Sequence, residues 1–248
     1  MIAGRKMDGE NDVRKVTVSH FLAHAVTLPG GASFVHFMWP GFVSVASGVN
    51  QHGLWVMMND GSSLSAGPAA QHATPFGWTV RQMLARSRTV AGTRPIVAEF
   101  ASDQGGTCSG GCNLLVAQAD RSASGAQALV LESDRSANSW RAPGEVEPLI
   151  TRGIMVTNHE FINGYDQRSP LENYGEQVYF SSLWRYEADK NLANAFAEYG
   201  PPIGTEEMKR LLQSDARNHG AQHHVPGSTC ARRLRPCSDG RPVARRRG

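Results

Sequence analysis

The chain has 248 residues, 40% hydrophobic and 19% charged, the balance of a soluble globular protein with length for one large domain or two. No apolar run approaches the roughly 18 residues of a membrane span, no basic stretch followed by an apolar one marks a signal peptide, and the residues do not choose between cytoplasm and export. The net charge of +3 is divided unevenly: Ser214 to Gly248 carries eight Arg and two Asp, a local +6, and the remainder stands at −3, so the body offers no basic face to nucleic acid.

In chain order, Val13 to Val26 alternates in part and predicts a strand. Pro29-Gly30-Gly31 is a turn, Ser33 to Trp39 a strand, Pro40-Gly41 a bend, and the strand pattern resumes over Phe42 to Ala46. Asn50-Gln51-His52-Gly53 is a turn before the buried-type strand Leu54 to Met58. Tightly connected strands of this kind predict an antiparallel meander. Phe76 to Arg88 predicts a helix with Val80, Met83 and Leu84 on one face and Arg81, Arg86 and Arg88 on the other. Pro95 to Ala101, Leu114 to Ala119, Ala128 to Glu132 and Gly153 to Thr157 read as strands. Residues 171–198 read as a long helix stopped by Gly200-Pro201-Pro202, and Thr205 as the N-cap of a short helix over Glu206 to Gln213. Beyond Ser214 apolar periodicity ends, which divides the chain into a domain over 1–214 and a basic, low-order tail over 215–248. Strands, helix, strands and helices in this order predict an α+β layered domain.

Four cysteines are too few for a disulfide scaffold. Cys108 and Cys112 could close a small disulfide loop, stay as two thiols, or, less readily, bind zinc. His20 and His24 are spaced i, i+4 but in a segment read as strand, and His219 and His223 share that spacing in the irregular tail, so no metal or cofactor is expected.

Four stretches carry chemistry. They are Gly4-Arg5-Lys6-Met7-Asp8; Pro40-Gly41-Phe42-Val43 with Ser47 to Leu54 and Asn59-Asp60-Gly61; Met155-Val156-Thr157-Asn158-His159; and Ser181-Ser182-Leu183-Trp184-Arg185-Tyr186. Taken singly, each has a plainer reading. Arg5 and Asp8 could be a surface ion pair, Asn59 turn chemistry, Asn158 a strand-end cap, and Arg185 a solvated helix residue.

Together and in this order they resemble the N-terminal-nucleophile (Ntn) amidohydrolases, closest to the peptidase C45, penicillin acyltransferase-like and choloylglycine hydrolase-like branch. The resemblance covers about residues 4 to 213. It implies a four-layer αββα sandwich and a small-molecule acyl-amide substrate, with no cofactor, no nucleic acid, no membrane span, and a homo-oligomer as an open question. In that family a Cys at the mature N-terminus attacks an amide carbonyl, and its own α-amine takes the proton. The resemblance gives Asn59 a place in the oxyanion hole, Arg5 and Asp8 the task of bordering the nucleophile and fixing its amine, Asn158 a contact to the tetrahedral oxygen, and Arg185 the charge balance for Asp8.

The chain departs from the family at two places. Only Met1, Ile2 and Ala3 precede the first motif, so the pocket is expected without its nucleophile. After Ser214 an Arg-rich sequence stands where the family continues into strands, a pattern expected of a frame change in a GC-rich gene. A sandwich lacking strands at both ends is expected to be of low stability. The readings carried forward are an amide hydrolase or acyltransferase lineage and an inactive remnant that binds an acyl ligand. A third, an interaction module in the tail at Arg232 to Arg247, is the weakest.

Overall fold

A computed structural model describes residues 2–5, 18–61, 74–108, 111–119, 127–147, 150, 153–163, 176–200 and 203–222. Its centre is one seven-stranded sheet in sequence order: β1 (Leu22–Val26), β2 (Phe34–Met38), β3 (Ser47–Asn50), β4 (Leu54–Asp60), β5 (Cys112–Gln118), β6 (Gln127–Ser133) and β7 (Asn138–Arg141). Every neighbouring pair is antiparallel, as the meander reading expects. Four helices among the described residues accompany it: α1 (Phe76–Arg86), α2 (Thr93–Glu99), α3 (Glu176–Tyr199) and α4 (Thr205–Gln222). A 3-10 turn over Val18–His20 precedes β1.

The two faces of the sheet follow from strand alternation. Phe34, Leu54, Val56, Leu114, Val116 and Leu131 point to one face. There they meet Val80, Met83 and Leu84 of α1 and Ile96 and Val97 of α2 in a continuous buried core. Truncating a Leu or Met in such a core costs about 2–5 kcal/mol. Asn50, buried at the end of β3, ties helix to hairpin: its Nδ2 donates to the carbonyls of Leu84 (3.0 Å) and Ser87 (2.7 Å), and its Oδ1 accepts from the amides of His52 and Leu54. Gly53 completes the turn at φ 76°, where a side chain would be strained.

Several expectations are corrected. The strand expected over Val13 to Val26 is interrupted by the 3-10 turn at Val18–His20 and begins at Leu22. Pro95 to Ala101 is not a strand; α2 occupies it, and Pro95 stands in the first helical turn, where its missing N–H has no intrahelical partner to lose. Thr205 is the first residue of α4 rather than its cap; the Gly204 amide before it donates to Glu207 Oε2 at 3.0 Å, one half of a capping box. Gly153 to Thr157 joins no ladder, and side chains of the sheet take up its backbone groups. The expected change of character at Ser214 falls inside α4, which runs to Gln222, and residues 223–248 lie outside the described residues. The strand expected over Phe42 to Ala46 is irregular instead, and two strands, β3 and β7, stand where none was expected. No helix among the described residues is long and apolar enough to cross a membrane.

Candidate active site

The second face of the sheet is polar toward β5–β7. Register places Asn59 of β4 opposite Asn113 of β5, Asn113 opposite Glu132 of β6, and Glu132 opposite Ser139 of β7. This cross-strand row holds the irregular segment 153–163 above the sheet. Asn113 is fully buried, and its Nδ2 donates to the carbonyls of Thr157 (3.1 Å) and His159 (2.9 Å). Glu132, also fully buried, accepts from Arg141 Nε at 2.8 Å and from the amides of Phe161 (2.8 Å) and Ile162 (2.7 Å). Arg141 Nη2 donates in turn to the Met155 carbonyl at 2.9 Å. Side chains thus perform the work of a β-ladder, satisfying buried peptide groups that would otherwise stand unpaired.

Arg5 reaches the same face from the N-terminal segment. α4 positions that segment: a Cβ added at Gly4 would lie 2.8 Å from Leu212 Cδ1 and 2.9 Å from Met208 Cγ, so the absence of a side chain permits the approach. Arg5 Nε donates to Asn59 Oδ1 at 3.3 Å and Nη1 to Ser47 Oγ at 2.5 Å. Asn59 Nδ2 donates to the Val156 carbonyl at 3.4 Å. Two residues further along, Asn158 Oδ1 accepts from Arg185 Nη2 of α3 at 2.6 Å. Four of the five residues singled out in the sequence therefore converge as two guanidinium–carboxamide pairs on one short segment. Asp8 lies outside the described residues.

Each guanidinium takes the oxygen end of its carboxamide, which fixes the amide's orientation and turns its N–H2 end away from the cation. Carboxamide N–H groups held this way are the donors that a developing oxyanion requires.

α3 fastens the segment from above. Ser182 Oγ accepts from the Asn158 amide at 2.7 Å and lies 2.8 Å from His159 Nδ1 and 3.1 Å from Thr157 Oγ1. All three side chains are buried. Burial, followed by the charges of Arg141 and Arg185, lowers the His159 pKa to about 4, so the ring is neutral at pH 7. Tyr186 packs edge-on to His159 at 5.4 Å between centroids, and burial pushes its phenol up. Glu160 is buried beside this group. Its carboxyl is raised to about 8, first by desolvation and then by Asp134 and Glu132, against hydrogen bonds from Asn163 and the Cys112 backbone. At neutral pH it is largely protonated.

Sequence reading missed Asn113, Glu132 and Arg141, and gave no role to Ser47 and Ser182 although both lie in the four stretches. The available signal was a polar side chain at an inward position of a strand, at Asn113 and Glu132. Cys108 and Cys112, left open between disulfide, thiols and zinc, are not joined in a disulfide, and both are buried.

No family model matches the sequence, and no curated protein does. Solved structures do. The chain is similar to a Caenorhabditis elegans N-acylethanolamine-hydrolyzing acid amidase ortholog, at TM-score 0.56 and 12% identity over 84% of this chain and 78% of that one. It is also similar to a variant of conjugated bile acid hydrolase from Clostridium perfringens, at TM-score 0.45 and 13% identity over 74% of this chain and 63% of that one. At such identities the likeness speaks of architecture alone: the chain has the fold of the N-terminal-nucleophile hydrolases.

Proposed function

We propose that this chain carries the substrate pocket of an Ntn amidohydrolase lineage that cleaves or transfers the acyl group of a linear, non-peptide amide. The observation that carries the reading is the Arg5–Asn59 contact, which spans 54 residues of sequence and meets the Asn158–Arg185 pair over the same 156–158 segment. Asn59 and Asn158 would donate to the carbonyl oxygen as it gains charge. Arg5 and Arg185 would orient those donors, and Asp8 would hold the attacking group's amine. The amidase to which the fold is similar acts on N-acylethanolamines, which makes an N-acyl amide a sensible first ligand. The sheet is read as half of an αββα sandwich; its second face toward β2–β4 carries Phe37 and Trp55, stacked at 6.3 Å and half-buried, as a surface meant to be packed on.

A second reading is an acyl-ligand binding protein without catalysis. It is favoured by the described cysteines: Cys108 and Cys112 are both buried. Two measurements separate the readings. Calorimetry should detect binding of N-dodecanoylethanolamine, weakened about tenfold by Arg5→Ala through loss of a charged hydrogen-bonding group. Release of ethanolamine should appear when a Cys-initiated strand is placed ahead of Gly4. Binding with no release from the extended chain favours the binder. Binding indifferent to Arg5→Ala and Asn158→Ala contradicts both.

A further inference from the structure

A cleft of about 470 Å³ lies on the opposite, helix-covered side of the sheet, at its β1–β2 edge, lined by Val26, Phe42, Trp78, His24, His36 and Arg81 among others. The size falls within the range of small-molecule sites. Alternation places it across the sheet from Arg5. His24 and His36 are register partners on β1 and β2, and Phe34, two residues before His36, belongs to the α1-facing core. Asn59, by contrast, alternates with Met58, which packs on that core. The cleft is therefore separate from the candidate active site.

Three features point to an occupant. Its walls are apolar, and Trp78 stays 46% exposed within them. Arg81, half-buried, places its guanidinium 5.4 Å from the centroid of the Phe34 ring and forms no ion pair among the described residues. His36 is only 3% exposed, and its Nδ1 has no hydrogen-bond partner among the described residues. The His24 ring stands edge-on to it at 4.9 Å. Burial, then His24 and Arg81, hold the His36 imidazole below its ordinary range, so it remains neutral and can donate one hydrogen bond without adding charge. A buried polar atom without a partner is costly, and a lone cation beside it calls for an acceptor.

We propose that this cleft binds an amphiphilic monocarboxylate, its two oxygens meeting Arg81 and His36 Nδ1–H and its alkyl chain lying along Val26, Phe42 and Trp78. The carboxylate supplies the missing acceptor and the missing charge together. The chain covers apolar surface that otherwise faces water. This inference does not depend on the amidohydrolase reading.

The test titrates the full chain with dodecanoate and, in parallel, with dodecanol. Saturable dodecanoate binding is expected, weakened about tenfold by Arg81→Met and partly recovered in Arg81→Lys, with dodecanol nearly indifferent to both changes. Arg5→Ala should leave dodecanoate binding unchanged, which separates failure here from failure of the active-site reading. In the unmutated chain an ω-bromododecanoate should quench tryptophan fluorescence, and Trp78→Phe should remove most of that quenching. Three results overturn the proposal: no saturable binding to the unmutated chain, equal loss of dodecanol and dodecanoate in Arg81→Met, or loss on Arg5→Ala as large as on Arg81→Met.

Discussion

The two faces of this sheet are held by different physics. Toward α1 and α2, contacts are mainly apolar and non-directional, with the Asn50 hydrogen bonds as the directed exception, and Val80, Met83 and Leu84 fill the space between helix and strands. Toward the 153–163 segment and α3, contacts are directed: Asn59, Asn113, Glu132 and Arg141 each hold particular peptide groups. An apolar face tolerates small shifts because dispersion and burial fall off gradually. A polar face does not, because a buried donor that loses its acceptor bears the full desolvation penalty. The first face makes the domain stable. The second fixes where Asn158 and Arg185 stand, which is the accuracy a site needs.

The sharpest way to break that contrast is Glu132→Ala. It strands buried Arg141 and releases the Phe161 and Ile162 amides, so a loss of about 3–5 kcal/mol is expected. Hydrogen exchange should then rise across 153–163 more than in α1. Leu84→Ala should cost about 2–5 kcal/mol. Its effect should spread over α1 and β3–β4 and leave exchange in 153–163 close to that of the unmutated chain. Equal exchange patterns in the two variants would remove the distinction between the faces.

A smaller effect concerns pH. Glu160 has a folded pKa of about 8 against an ordinary 4.5, so the folded state binds more protons between those values. Its contribution to stability is complete below 4.5 and is lost as pH rises through about 8. His159 runs the other way: its folded pKa of about 4 lies below 6.5, so its contribution is present above 6.5 and is lost as pH falls through about 4. Between 6.5 and 8 only Glu160 of this pair still titrates. Denaturant titrations should show stability declining over that interval, and Glu160→Gln should abolish the decline. An unchanged slope in the variant would refute the burial account of Glu160.

The elements most legible in the sequence were those whose apolar period agrees with their packing. Leu54 to Met58 lies within β4, and Phe76 to Arg88 contains α1, because Val80, Met83 and Leu84 recur at helical spacing toward one core. Ile96-Val97-Ala98 was misread because a short β-branched run fits a strand as well as a helix, and only packing decides. Gly153 to Thr157 has the composition of a strand, but its partners are side chains far off in sequence, from Arg141 to the Met155 carbonyl at a separation of 14 to Asn59 to the Val156 carbonyl at 97. No local pattern encodes that. The pairing of Arg5 with Asn59 is likewise invisible to periodicity, and it was approached only through the order of the four motifs.

On the proposed reading, Asn59 and Asn158 form one acyl-amide site. The most direct measurement follows the side-chain amide resonances of these two residues by NMR while N-dodecanoylethanolamine is added. Both should shift together and saturate at one concentration, and Arg5→Ala should move the Asn59 resonance before any ligand is present. Binding that leaves both resonances in place, or that shifts Asn59 and Asn158 at different concentrations, would contradict the single site.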